Sequence, residues 1–270
     1  MTILQSIILG IIQGLTELLP VSSSAHLTIV PWILKWTESA AFRADFVGFD
    51  VALHFGTLLA IGLFFFKDWI RLIKGGYKYA IKKEKTMEGR MFWYIVLATI
   101  PGGIIGFILD KYFEDVLTKP IIIAIALIVM GIILYIIDKK SPSEIDYEDM
   151  TLKQTFLIGL SQALAFIPGV SRSGITVTVG RAMKIKRESA ARYSFMLSTP
   201  IVLGATIFKL KDFVFGIPFF VGVIVSFLVG LFVIRYLLEY LRKGSFKGFA
   251  IYRIIAGLAI ILIVIARSIS

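Results

Sequence analysis

The sequence predicts an all-α polytopic membrane protein: an inverted repeat of a re-entrant helical hairpin plus three transmembrane helices, about ten helices in all. The 270 residues are 57% hydrophobic, with a mean hydropathy of +0.86. That is more apolar surface than one soluble core of this size hides, whereas a bilayer accommodates it. We treat residues 1–270 as one integral membrane domain with internal repeats at about 1–140 and 150–270.

Six segments are apolar and long enough to cross a bilayer core of about 30 Å. They cover residues 47–66, 91–109, 119–137, 193–210, 214–235 and 249–267. Two further regions, 1–36 and 155–187, begin apolar, break at proline and small polar residues, and resume as a short apolar stretch. Half-length helices around a polar break are typical of re-entrant hairpins, whose irregular backbone must be surrounded by protein or water.

The two broken regions resemble each other at a shift of 149 positions. The shift pairs Gly10 with Gly159, Gln13 with Gln162, Leu15 with Leu164, Val21 with Val170, Ser22 with Ser171 and Ser24 with Ser173. Each region precedes three spanning segments, so the chain is predicted to repeat a hairpin and three helices. Because three crossings are odd, the second copy must be inverted.

Charge orients this topology. With loop 67–90 placed on the cytoplasmic side, the inner loops hold twenty-one Lys and Arg and the outer segments seven. This bias puts both termini outside, so the first hairpin enters from outside and the second from inside, and their tips can meet. Within these loops, we interpret Arg181, Lys184, Lys186 and Arg187 as a solvated segment facing lipid headgroups.

Composition excludes several function classes. The chain has no cysteine, so disulfides and thiolate metal sites are ruled out, and its two histidines argue against a multi-histidine metal cage. The net charge of +11 is explained by loops beside anionic headgroups, so we expect no nucleic-acid partner. The first apolar run carries Gln13 and Glu17 without a basic leader, so we expect no cleaved signal peptide.

Polar residues of the first hairpin form the first candidate cluster. Gln13 and Glu17 are four apart and share one helix face, and a carboxylate this deep usually has a partner or a task. Ser22, Ser23 and Ser24 follow Pro20, and any one of them could cap the next helix. Three hydroxyls followed by His26 exceed what a cap needs.

The second hairpin carries Arg172 between glycines and hydroxyls. Helix N-termini at such a break favour anions, and the guanidinium fork of Arg172 suits phosphate oxygens. One alternative is that Arg172 only pairs with Glu17.

Asp50 and His54 are also four apart. We expect them to make hydrogen bonds in the core, with support of the site as the alternative. Together the tips favour phosphoryl transfer, although a transporter fits the same pattern.

Two long motifs resemble a known family. Gln13-Gly14-Leu15-Thr16-Glu17 with Leu19-Pro20-Val21-Ser22-Ser23-Ser24-Ala25-His26 is similar to the first signature of the undecaprenyl-diphosphate phosphatases, the BacA-type bacitracin-resistance proteins. Pro168-Gly169-Val170-Ser171-Arg172-Ser173-Gly174-Ile175-Thr176 is similar to the second. The resemblance implies hydrolysis of undecaprenyl diphosphate to undecaprenyl phosphate and inorganic phosphate, which recycles the lipid carrier of cell-wall polymers and gives bacitracin resistance. It also implies a divalent cation, magnesium or calcium, and a site open to the outer face of the cell membrane.

The resemblance carries roles onto matching positions. Glu17 would bind the metal or act as a base, and Gln13, a weaker ligand, fills a position at which the family has Glu or Gln. Ser23 and His26 are the candidate nucleophiles, with direct attack by water as the third option. His26 could instead deprotonate Ser23 or a water, or protonate the leaving oxygen. Arg172 would hold the diphosphate. Further substrate contacts are expected from the hydroxyls of Ser22, Ser24, Ser171, Ser173 and Thr176.

Two functions therefore compete. The first is the lipid diphosphatase; the second is a transporter or flippase of an anionic polyprenyl lipid, acting instead of hydrolysis or beside it. The expected partners are the polyprenyl diphosphate and membrane lipids, and a homodimer is left open. Release of phosphate from a lipid diphosphate separates the two functions.

Overall fold

The computed structural model describes residues 1–269, with the side chains of residues 106–107 and 109–117 outside the description. Within these residues eleven α-helices account for most of the chain and there is no β-strand, which confirms the all-helical prediction. The helices are α1 (Ile3–Thr16), α2 (Ser23–Ile33), α3 (Ala40–Phe64), α4 (Phe66–Tyr77), α5 (Met87–Leu117), α6 (Pro120–Lys140), α7 (Leu152–Ser161), α8 (Arg172–Ala182), α9 (Arg187–Phe208), α10 (Ile217–Lys243) and α11 (Lys247–Ile269).

Each of the six predicted spans overlaps one long helix: α3, α5, α6, α9, α10 or α11. The largest differences are that α5 and α10 each end eight residues after their spans, 91–109 and 214–235, and that α3 begins seven residues before the span 47–66. Of the helices described, α3, α6, α10 and α11 are long and apolar enough to cross a membrane by length and composition. Helix α9 is more polar because protein surrounds much of it. Its Tyr193, Ser194 and Ser198 are fully buried, and it packs against α3, α5, α8 and α10.

Both broken regions form helical hairpins. Helices α1, α2, α7 and α8 have 14, 11, 10 and 11 residues. At about 1.5 Å per residue, each is shorter than a bilayer core of about 30 Å. A 3-10 turn, Gln162–Phe166, follows α7 before the second break. Neither hairpin therefore contains a helix that spans a bilayer alone.

The two hairpins share their local structure. Thr2 and Thr151 each close a capping box with the glutamine three positions later, which starts α1 and α7. Ser22 and Ser171 each cap the second helix with a side-chain hydroxyl, at φ of 77° and 72°. Both pairs are separated by the same 149 positions as the sequence motifs. The repeat and its inversion remain predictions that this likeness supports.

The long helices pack closely on one another and on the hairpins. Helix α6 runs along α11, α10 packs against α1 and α3, and α5 packs against α7. A Cβ at Gly257 of α11 would lie 2.7 Å from the carbonyl oxygen of Ala124, and one at Gly14 of α1 would lie 2.6 Å from the side chain of Val229. Small residues let helices approach this closely, as is common in membrane bundles.

The basic segment from the end of α8 to the start of α9 differs from the sequence interpretation. Arg181 is fully buried, not solvated, and its Nε donates to Asp138 Oδ1 at 2.8 Å. Arg187 Nε donates to the same oxygen at 2.8 Å, and the Phe246 amide donates to Oδ2 at 3.1 Å. One buried carboxylate therefore ties the end of α6 to the α8–α9 turn and the start of α11. Lys184 and Lys186 do pair at the surface, with Glu144 and Asp146.

Candidate active site

The tips of the two hairpins are hydrogen-bonded to each other. The Gly169 amide donates to Ser22 Oγ at 3.2 Å, and Ser173 Oγ donates to the Leu19 carbonyl oxygen at 3.1 Å. Each bond joins residues about 150 positions apart in the chain. The polar break of each hairpin thus satisfies backbone groups of the other, which the predicted re-entrant placement requires.

Arg253 of α11 locks this junction. Its side chain is fully buried, and Nη1 donates to the Pro20 carbonyl oxygen at 3.0 Å. Nη2 donates to the carbonyl oxygens of Gly169 at 2.6 Å and Val170 at 2.9 Å. Sequence reasoning counted Arg253 among the basic loop residues and missed this role; the signal was its position six residues inside an apolar helix.

Glu17 lies at the centre of the site. It is only 7% exposed, and its Oε1 accepts a hydrogen bond from Arg172 Nη2 at 2.6 Å. Its Oε2 accepts one from Ser23 Oγ, also at 2.6 Å. The carboxylate therefore joins the hydroxyl of the first hairpin to the arginine of the second.

Helix α3 supplies a histidine to the same carboxylate. His54 Nδ1 is 3.4 Å from Glu17 Oε2 and 2.9 Å from Gln13 Nε2. The latter atom also lies 3.4 Å from Thr57 Oγ1. The prediction that His54 makes a hydrogen bond inside the protein is therefore confirmed. Because its partners are Gln13 and Glu17, the contact also fits the alternative, support of the site. Asp50, one helical turn earlier on α3, is half-buried, but no hydrogen bond of its side chain is among those described.

Two helix N-termini converge beside Glu17. Ser23 is the first residue of α2, and Arg172 is the first residue of α8. Besides the amides of Ala25 and Gly174, which Ser22 and Ser171 cap, each first turn has N–H groups without a helical acceptor and carries the positive end of the helix dipole. Each therefore attracts anions. With the Arg172 guanidinium between them, the arrangement has the electrostatics of a phosphate cradle.

Arg172 is held from two sides. Besides the Glu17 bond, its Nη1 donates to the Ser194 carbonyl oxygen at 3.0 Å. The ion pair with Glu17, one of the alternatives from the sequence, is thus present. A guanidinium has five N–H donors, so these two bonds do not exhaust it.

His26 lies apart from this centre. Its Nδ1 is 2.7 Å from the Ser22 carbonyl oxygen, and its Nε2 is 2.6 Å from the Tyr252 hydroxyl. The two rings are stacked, with centroids 5.7 Å apart. Neither ring nitrogen contacts Ser23 or Glu17 among the hydrogen bonds described. In this structure Glu17, not His26, accepts from the Ser23 hydroxyl.

The remaining predicted hydroxyls form hydrogen bonds with other groups of the protein. Ser22 and Ser171 cap α2 and α8 and lie 3.2 Å from Ser24 and Ser173, respectively. Thr176 Oγ1 is 2.7 Å from Ser194 Oγ. These contacts shape the tips, and the role of the hydroxyls in binding substrate stays a prediction.

The donor set fits a divalent cation only if the substrate supplies further ligands. No group of three or more His, Asp or Glu side chains that could hold a metal occurs in the described part of the chain. Gln13 Oε1 is buried without a hydrogen-bond partner, on the side chain that contacts Glu17. Magnesium is commonly bound by one or two carboxylates together with substrate phosphates and water. Glu17 supplies one such carboxylate, and the unpartnered Gln13 Oε1 adds a neutral amide oxygen.

Comparisons with known proteins agree with these features. The family model of bacitracin resistance protein BacA matches residues 6–259. A protein of Pelotomaculum thermopropionicum named undecaprenyl-diphosphatase is 51% identical over 270 residues, covering 99% of this chain and 98% of its own. A protein of the same name from Moorella thermoacetica is 42% identical over 97% of both chains. The chain therefore belongs to the BacA family of bacitracin resistance proteins.

Proposed function

We propose that this protein hydrolyses undecaprenyl diphosphate to undecaprenyl phosphate and inorganic phosphate, and thereby supports cell-wall synthesis and bacitracin resistance. The observation that carries the proposal is the pair of hydrogen bonds that the Glu17 carboxylate accepts. One comes from Ser23 in the first hairpin and the other from Arg172 in the second, each at 2.6 Å. These bonds support roles for Ser23 as the attacking hydroxyl, Glu17 as its base and Arg172 as the anion clamp. The names of the relatives support the same reaction.

Substrate binding begins with an exchange of partners. The diphosphate competes with Glu17 for the Arg172 guanidinium, which binds phosphate oxygens in a bidentate manner. The N-terminal amides of α2 and α8 add donors on either side. Moving Arg172 onto the phosphate frees one Glu17 oxygen, so binding of the anion also prepares the base.

The chemical step uses Ser23 as the nucleophile. Its Oγ forms a bond to the terminal phosphorus while the bridging oxygen–phosphorus bond breaks, and the hydroxyl proton passes to Glu17 Oε2. Undecaprenyl phosphate leaves with the bridging oxygen, and its charge is stabilised by Arg172. Water then attacks the phosphorus of the phosphoserine as the Oγ–phosphorus bond breaks. Ser23 Oγ takes back the proton held by Glu17, and inorganic phosphate leaves with the oxygen and protons of the water. His54 orients Glu17 and Gln13 throughout.

Glu17 and Gln13 would hold a magnesium or calcium ion together with the diphosphate. The bound ion would neutralise phosphate charge and improve the leaving group. Addition of EDTA should stop hydrolysis, and excess magnesium should restore it. Unchanged turnover in EDTA would remove the metal role from both residues.

We further propose that the protein lies in the cell membrane with both termini outside and the site open to the outer face. The distribution of Lys and Arg supports this orientation. The buried Arg181 and Arg253 should be removed from the twenty-one inner charges, which leaves nineteen against seven. The bias survives the correction.

Release of phosphate from undecaprenyl diphosphate by the purified protein, with magnesium, tests the function. Arg172→Ala should lower turnover by about 10²-fold or more, because a charge clamp on a transferring phosphoryl group is lost. Ser23→Ala should abolish it. Arg242, whose exposed ion pair with Glu188 lies outside the site, provides the control Arg242→Ala. Lipid scrambling without phosphate release would instead identify a flippase.

A further inference from the structure

Helix α4 and the turn after it occupy the segment that the sequence assigned to a loop. Its inner face packs on the protein: Leu72, Gly75 and Gly76 are buried. A Cβ at Gly75 would lie 2.7 Å from the Gly89 amide nitrogen, and Trp93 Nε1 donates to the Gly76 carbonyl oxygen at 3.2 Å. This face fixes the helix against the start of α5.

A second face of α4 is apolar and exposed. Phe66, Ile70, Ile73 and Tyr77 have exposed fractions of 59%, 37%, 55% and 61%. At about 100° per residue, these four side chains fall within about 60° of one another around the helix. In a stable helix, a stripe of large apolar residues such as this one is covered by another apolar surface and not by water.

The third face is basic. Lys67, Arg71, Lys74 and Lys78 also fall within about 60° of one another, and their centre is about 100° from that of the apolar stripe. Of these four, Arg71 pairs with Asp68 and Lys78 with Glu84, in ion pairs whose basic partners are at least half exposed. Three further lysines follow in the short connection: Lys82, Lys83 and Lys85.

We propose that α4 is an interfacial helix that binds the anionic phospholipid leaflet at its end of the bundle. Its apolar stripe enters the boundary between headgroups and acyl chains, and its basic face binds lipid phosphates beside it. An apolar stripe flanked by a row of Lys and Arg is the pattern of helices that lie in this interface. Anionic lipid attracts each such residue near the surface. A second copy of the chain is disfavoured because paired stripes would bring two basic rows together.

The location of the stripe can be tested in the intact protein, because its sequence contains no cysteine. Single cysteines at Ile73 and at Lys85, an exposed residue outside the stripe, are labelled with an environment-sensitive fluorophore in phosphatidylcholine vesicles. We expect the label at position 73 to emit at shorter wavelength and to be quenched by nitroxide lipids, and the label at 85 to behave as in water. Equal, water-like emission at both positions would overturn the proposal.

The charge requirement is tested by the identity of the quenching lipid. In vesicles containing phosphatidylglycerol, nitroxide phosphatidylglycerol should quench the label at 73 at least about twofold more than nitroxide phosphatidylcholine at equal mole fraction. Replacing Lys67, Arg71, Lys74 and Lys78 with Gln should bring the ratio to about one. A label at Leu262, which is 68% exposed on α11, should show no preference.

Two results would refute the assignment of an anionic leaflet. One result is that both nitroxide lipids quench the label at position 73 equally while Lys67, Arg71, Lys74 and Lys78 are all present. Helix α4 would then contact lipid without selecting anionic headgroups. The other result is a label at 73 that emits at short wavelength but is quenched by no nitroxide lipid. If the lipid quenchers reach this label once the protein is diluted in lipid, a second protein copy occupies the apolar stripe.

Discussion

Replacing Arg253 with Met should separate the hairpin tips on which the whole site rests. The substitution keeps a long apolar stem and removes only the guanidinium. Three carbonyl oxygens, those of Pro20, Gly169 and Val170, then lose donors at 3.0, 2.6 and 2.9 Å. They belong to backbone with no helical partner in either break, so the bundle offers no ready replacement.

The magnitude follows from these three bonds. A buried carbonyl left without a donor costs about 1–3 kcal/mol, so three cost about 3–9 kcal/mol. Removing a buried charge returns several kcal/mol of desolvation. We expect a net destabilisation of about 2–4 kcal/mol, which corresponds to a fall in Tm of roughly 5–12 °C for a chain of this size. Turnover should fall about 10²-fold, because a displacement of about 1 Å at catalytic groups has that effect.

Unfolding is followed in detergent through the fluorescence of the four tryptophans, alongside phosphate release. Arg253→Lys should give an intermediate Tm, because an ammonium keeps the charge but cannot match the planar fork. Arg235→Met, on an exposed position of α10, is the matched control and should change neither quantity. If Arg253→Met keeps its Tm within about 2 °C and its turnover within about twofold of the parent, the junction does not depend on Arg253.

Three further substitutions test the surroundings of the site. His54→Asn should lower kcat about tenfold or more with little change in Tm, because Glu17 and Gln13 lose the group that orients them. Phosphate-release kinetics measure kcat for this variant. An unchanged kcat would mean that His54 has a purely structural role. Tyr252→Phe keeps the ring stacked on His26 and removes one hydrogen bond, so we expect less than a tenfold loss of turnover with Tm preserved; a complete loss would mean that the Tyr252 hydroxyl itself meets the substrate. Gly169→Ala should lower the free energy of unfolding by about 1–3 kcal/mol, since φ is +98° and the new Cβ would lie 2.6 Å from the Ile123 carbonyl oxygen. Gly62→Ala, which meets nothing within 4 Å, is its control in the same thermal assay.

Hydropathy and the broken motifs were enough to predict most of the fold. The apolar segments are long, so spans such as 119–137 and 249–267 are recovered as α6 and α11 within a few residues. Helix α4 was missed because its many lysines and arginines indicated a loop. The spacing of Phe66, Ile70, Ile73 and Tyr77 was present in the sequence, but a charge count does not detect periodicity.

The site was predictable where it depends on the motifs and not where it depends on tertiary packing. The pairing of Glu17 with Arg172 follows from two tips that meet. The contact between His26 and Tyr252 joins residues 226 positions apart, and that between Gln13 and His54 joins residues 41 apart. Neither contact has a local sequence signature. For His54 the only indication was its spacing from Asp50 on one helix face.

The equivalence of the two hairpins separates residues that build the tips from those that carry chemistry. At a shift of 149 positions the capping serines, Ser22 and Ser171, coincide in sequence and in backbone angle. The reactive positions do not: the shift places Phe166 opposite Glu17 and Arg172 opposite Ser23.

The first turns of α2 and α8 therefore offer a hydroxyl in one copy and a cation in the other, with a single carboxylate between them. Two identical tips would present two carboxylates or two arginines at one point, and like charges in a low-dielectric site repel strongly. Divergence of the copies is what allows one attacking group and one anion clamp to share Glu17. The double variant Ser23→Arg/Arg172→Ser tests this. We expect it to fold, to keep an ion pair with Glu17 and to have little activity. Recovery to the parental rate would show that the scaffold is symmetric in function as well as in shape.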